Sequence, residues 1–111
     1  MPIIANQELI PANKISIHDE LYLYSNPKIA QKMAYKYLGK TAKLYKSTNP
    51  KKKYMILNPH TNKWIHFGQM FFEDATKHKD MIRIIKFKNR NKKWADAKPY
   101  TAAHSSFYFL W

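Results

Sequence analysis

Cysteine is absent from the 111-residue chain, so a disulfide framework, a thiolate metal site and a cysteine nucleophile are all closed to it. The missing thiols also fit a reducing compartment. Glycine occurs only twice, too seldom to build a phosphate-cradling loop or a dinucleotide fingerprint. No apolar run approaches the roughly 20 residues that span a bilayer. The opening MPIIANQELI lacks the basic-then-apolar order of a signal peptide. Acids are scarce as well: 7 Asp and Glu stand against 20 Lys and Arg, for a formal charge of +13. What the chain does have is 45% hydrophobic and 15% aromatic residues, enough for one packed domain and too many for a disordered tail.

The charge is unevenly placed. Residues 1–25 hold Lys14 against Glu8, Asp19 and Glu20, so the whole positive excess lies downstream. Of the 20 bases only Arg83 and Arg90 are arginines. Lysine is a mobile point charge, whereas arginine carries the planar fork that reads guanine edges or clamps a phosphate. A lysine-dominated surface therefore suits contact with a polyanion backbone without regard to sequence. An AT-rich coding bias would also favour lysine over arginine, but it leaves the scarcity of acids unexplained.

Residues 1–25, with Pro2 and Pro11, show no helical period and are expected to form an extension outside the core. ISIHDELYLY (15–24) is expected to be an edge strand or a docking arm. Residues 26–111 form the expected single α+β domain. A helix is predicted from Ser25 or Asn26, with Pro27 at its first position and Gly39 as its stop. Ile29, Ala30, Met33, Ala34, Tyr37 and Leu38 share one stripe of it, and Lys28, Lys32 and Lys36 recur every four residues on another face. A three-stranded antiparallel meander follows: TAKLYK (41–46), KYMILN (53–58) and KWIHF (63–67), the last closed by Gly68. Lys51, Lys52 and Lys53 sit at its first turn. A second helix is predicted from Thr76 or Asp80 to about Asn89, with Met81, Ile82 and Ile85 on its stripe, although RIIKFK also alternates like a strand. Lys86, Lys88, Arg90, Lys92 and Lys93 make this stretch basic. The aromatic C-terminal tail, ending FYFLW, is expected to tuck into the fold.

Catalytic chemistry is weakly encoded. His60, His66, His78 and His104, with Glu73, Asp74 and Asp80, contain ligand types for a metal nuclease, but neither H-E-x-x-H nor H-x-H occurs. In a strand His66 shares a face with Trp64, which suits a half-buried hydrogen-bonding role better than ligation. Helix capping is the leading role for Asp74, Thr76 and Asp80, with a salt bridge from Asp80 to Arg83 as the second. Aromatics interleave with lysines in KMAYKYLGK, KLYK, KKKY and KFK, a pattern used for core packing and also by single-strand binders for base stacking. Trp94, within NRNKKWADAK, is the best candidate for an exposed stacking ring.

The block KYMILNPHTNKWIHFGQMFFEDATKHKDMIRI, followed by a basic stretch and a terminal Leu-Trp, resembles a group of small basic proteins of giant (nucleocytoplasmic large) DNA viruses. The likeness runs over roughly residues 30–111. It rests on Lys63, Trp64, Ile65, His66, Phe67 and Gly68, then on Glu73, Asp74, Thr76, His78, Lys79 and Asp80, and finally on Arg83, Leu110 and Trp111. This chain departs from the group in having Ile84-Ile85-Lys86-Phe87 after Arg83, where paired arginines and a tyrosine are usual. It also has Met70-Phe71 where a turn glycine is usual. The resemblance implies a virion protein, present in the host cytoplasm or viral factory during infection, and implies no mechanism.

The expectation is a non-enzymatic basic protein, without cofactor or metal, that binds nucleic acid, DNA foremost, through backbone contacts in genome packaging or coating. The contacting residues would be Lys28, Lys32, Lys36, Lys51, Lys52, Lys53, Lys86, Lys88, Arg90, Lys92 and Lys93, with Trp94 stacking. The alternative is a minor structural protein of a capsid or internal layer, its charge meeting acidic virion proteins or lipid surfaces.

Overall fold

A computed structural model describes residues 9–111, and among them a helix, a three-stranded sheet and a run of short helices are ordered along the chain as an α+β domain. Helix α1 (Pro27–Leu38) begins where the Asn26 carboxamide accepts hydrogen bonds from the backbone N–H groups of Lys28 and Ile29. It ends at Gly39, whose φ of 95° a residue with a side chain would adopt only under strain. Ala30 and Ala34 are fully buried and bring the helix close to its neighbours. Gln31 is buried beside them. Its amide donates to the Ala42 carbonyl and accepts from the Leu44 N–H, both at 2.8 Å, so the helix fixes the start of the sheet.

The sheet consists of β1 (Leu44–Lys46), β2 (Lys52–Asn58) and β3 (Lys63–Gln69), antiparallel in the order β1-β2-β3. Its register places Leu44 opposite Ile56 and Tyr54 opposite Phe67, so alternate residues build one core-facing layer. Tyr54, Ile56, Leu44 and Phe67 are all at most 1% exposed. Asn62 takes the left-handed conformation that the four-residue turn between β2 and β3 needs. β3 runs through Gly68 to Gln69, two residues beyond the expected end at Phe67.

The second predicted helix is two helices, α2 (Ala75–His78) and α3 (Met81–Arg90), broken at Lys79 in the left-handed region, and nothing in RIIKFK is strand. Asp80 restarts the helix by accepting from the N–H groups of Ile82 and Arg83. The expected apolar stripe of α3 does not enter the core: Met81, Ile82 and Ile85 are exposed, and no residue of the helix is buried. A 3-10 turn (Lys92–Asp96), helix α4 (Ala102–Ser105) and π-type turns (Ser106–Leu110) complete the chain. Phe107, Phe109 and Leu110 are buried against α1 and the sheet, as expected of the tail.

The expectation that residues 1–25 stand outside the core is corrected for residues 9–25. Ala12, Ile15 and Leu21 are buried within the same core as the sheet. The segment lacks a period because it packs through two 3-10 turns, Ala12–Lys14 and Glu20–Leu23, and not through a strand or long helix. Pro11 bridges to Tyr45, and the Lys46 N–H donates to the Ile10 carbonyl, covering the free edge of β1. Asp19 caps the second turn and pairs with Lys46 at 2.6 Å. Burial would raise the Asp19 pKa, but the Leu21 N–H and the lysine outweigh it and hold the carboxyl below its ordinary value. Residues 1–8, including Pro2 and Glu8, lie outside the described residues.

Candidate functional site

A buried cation lies at the base of the site. Lys53, on β2, is 2% exposed, and its ammonium sits 3.0 Å from Asp74 Oδ2. The same ammonium also donates to the backbone carbonyls of Phe72 and Tyr24. Asp74 has its position because it caps α2: its other oxygen accepts from the N–H and the hydroxyl of Thr76. Thr76 in turn meets Ser25, whose hydroxyl lies 2.6 Å from that of the buried Tyr54. Burial pushes the Lys53 pKa down, opposed by the Asp74 charge, and pushes the Tyr54 hydroxyl up. Lys53 is therefore corrected from phosphate contact to structural ion: its charge is enclosed and already neutralised.

Above this pair opens a cleft of about 920 Å³ between the sheet, α3 and the C-terminal turns. Its far wall is aromatic. Trp111 lies flat on Phe87, with ring centroids 4.3 Å apart and planes 6° from parallel, and Trp94 meets Phe87 edge-on at 6.0 Å. Phe72 lines the cleft while remaining 65% exposed. Lys52, Arg83, Lys86 and Arg90 also line it, so both arginines of the chain come to one place. The acids on the cleft are the neutralised Asp74 and the exposed Glu73, which lies a loose 3.8 Å from Arg83.

The other basic candidates are dispersed. Lys28, Lys32 and Lys36 are exposed on α1 as expected, with Lys36 5.3 Å from the centroid of the Tyr37 ring, and none of them lines the cleft. Lys51 is exposed in the turn before β2, and Lys92 and Lys93 are exposed on the 3-10 turn. Lys88 is half-buried, 5.0 Å from the centroid of Phe107. Trp94 is half-buried too, where an exposed ring was expected. Phe72 and Trp111 line the cleft without having been expected there, Phe87 was expected only as part of the KFK interleaving, and Arg83 was expected only in an ion pair. The aromatic–basic alternation in IKFK was the signal, since it puts Phe87 between Lys86 and Lys88.

The residues of the KWIHFG and EDATKHKD blocks are chiefly architectural. Lys63 opens β3 and is exposed, and Trp64 packs edge-on to Tyr45. His66 Nδ1 lies 2.7 Å from the Ser47 hydroxyl. Phe67 is buried between Tyr54 and Phe109. Gly68 has φ 79°, and a Cβ there would stand 2.9 Å from a Leu110 methyl. His78 packs on Trp111 and accepts from the Asp80 N–H; Asp74 and Asp80 are the caps, while Thr76, expected as a third, lies inside α2 and bonds Asp74 and Ser25 instead. Burial lowers the pKa of His66, with Lys52 adding to it, and that of His78, with Arg83 adding to it. Burial alone lowers that of His104. The histidines are held apart: His60 packs against Tyr100, while His104 lies against Tyr108 and Phe109.

The model of a family of unknown function, DUF5754, matches residues 42–91, under half of the chain. The match takes in the sheet, the Lys53–Asp74 pair and α3, and stops short of Trp94 and Trp111. No curated protein and no solved structure matches the chain.

Proposed function

We propose that the domain binds nucleic acid, DNA foremost, through this cleft without sequence preference, with Lys52, Arg83, Lys86 and Arg90 contacting phosphates. The observation that carries this is the meeting of both arginines in a chain of 20 bases on one cleft beside aromatic rings. Arginine forks hold phosphate oxygens in a fixed geometry, and nearby acids that would repel the backbone are few. The exposed lysine row of α1 offers a second, weaker track for the same polyanion. Packaging or coating of a genome within a virion is the setting that the resemblance to giant-virus proteins suggests. The chain acts here as a binding protein and not as a catalyst.

A minor structural role in a capsid or internal layer is the second reading. It is favoured by Phe71, Met81, Ile82 and Ile85, each more than half exposed. Titration with duplex DNA at rising salt separates the two. Four phosphate contacts give a log–log slope of about −3 to −4. No binding at low salt, or binding indifferent to salt, overturns the nucleic-acid reading.

A further inference from the structure

We propose that the cleft seats an unpaired base, so that the protein prefers single-stranded nucleic acid to duplex; this rests on the nucleic-acid reading above. Phosphate contact alone needs cations on a surface and gives no reason for a recess walled by rings. Here the recess is about 920 Å³, within the size range of sites that bury a small ligand. Its apolar wall is the Trp111–Phe87 stack with Trp94 against its edge. Phe72, which also lines the cleft, is 65% exposed and has no ring partner among the described residues.

An occupant that covers these rings must be flat and apolar on its faces. The rim adds a second requirement. Arg83, Lys86 and Arg90 line the cleft and are exposed, and Lys52 lines it half-buried, so the occupant must carry negative charge where it meets solvent. A nucleotide in an open strand satisfies both, with its base inside and its phosphates on the rim. In a duplex the bases are stacked and paired, so their edges stay open in the grooves but their faces cannot reach the rings. Base–aromatic stacking tolerates any base because each has a π-face, which agrees with binding that ignores sequence.

The test compares three labelled probes by fluorescence anisotropy at one salt concentration: an oligothymidylate of about 12 nucleotides, an abasic strand of the same length, and a duplex of that length. The abasic strand keeps the phosphates and removes the bases. The expected result is at least about fivefold weaker binding of the abasic strand and of the duplex, the lower end of the gain from one stacked base. Phe72→Ala and Trp94→Ala should bring oligothymidylate binding down towards the abasic level while leaving abasic binding unchanged. In the Trp64→Phe variant the remaining tryptophans, Trp94 and Trp111, both line the cleft. Their emission should be quenched by oligothymidylate and not by the abasic strand.

Equal affinity for all three probes would overturn the base pocket and leave the phosphate-binding reading standing. No binding of any probe at low salt would overturn both.

Discussion

The Lys53 ammonium and the Asp74 carboxylate form an ion pair at 3.0 Å with both side chains at most 2% exposed, tying the second strand to the start of α2. Two charges withdrawn from water hold only when each keeps its partner, and here the remaining valences are filled by backbone carbonyls and by Thr76. Removing one charge strands the other. Lys53→Met and Asp74→Asn should each lose about 3–5 kcal/mol in urea unfolding, and the double variant should lose clearly less than the sum. Additive losses would mean that the two groups are not coupled.

The two glycines differ in what they accommodate. Gly68 combines φ 79° with a Leu110 methyl and the Lys53 Cβ in the space a side chain would fill. Gly39, at φ 95°, has nothing within 4 Å of that position. Gly39→Ala should cost only backbone strain, about 1–3 kcal/mol. Gly68→Ala adds overpacking of similar size and should lower the melting temperature further. Equal shifts for the two variants would show that the C-terminal turns yield around Gly68.

Acid should destabilise the fold by way of its histidines. Burial lowers the pKa of His66, His78 and His104 below the ordinary 6.5, so the unfolded chain takes up protons first as pH falls. Stability from these groups is fully present above about pH 6.5, declines as pH drops below it, and levels off beneath the folded-state values. Melting temperature should therefore fall as pH drops through the ordinary histidine value of 6.5. His104→Asn, which removes a titrating ring 7% exposed, should flatten that fall. An unchanged pH profile in this variant would remove His104 from the account.

The parts of the fold with strong local signals were readable from the sequence. Asn26-Pro27 and Gly39 bracket α1, and polar turns separate three short apolar strands. What escaped depended on partners distant along the chain. Residues 9–25 carry no period, so their burial through Ala12, Ile15 and Leu21 shows only once α1 and β1 stand beside them. Lys53 looks like its neighbours Lys51 and Lys52, and only Asp74, 21 positions away, makes it a buried ion. The cleft likewise joins β2, α3 and Trp111, a juxtaposition that no spacing within one element reports. Met81, Ile82 and Ile85 misled in the other direction, since helical amphipathicity says that a face is apolar and not what covers it.

Binding through the proposed cleft and binding through diffuse charge differ in the salt dependence of two charge-removed variants. Replacing Lys52, Lys86 and Arg90 with Gln removes three cleft cations, whereas replacing Lys14, Lys63 and Lys98 removes three that do not line it. All are at least partly exposed, so both triples should fold. On duplex DNA the cleft triple should flatten the log–log salt slope by about 2 to 3 units, and the remote triple by much less. Equal flattening by the two triples would place binding outside the cleft and make the positive charge a property of the whole surface.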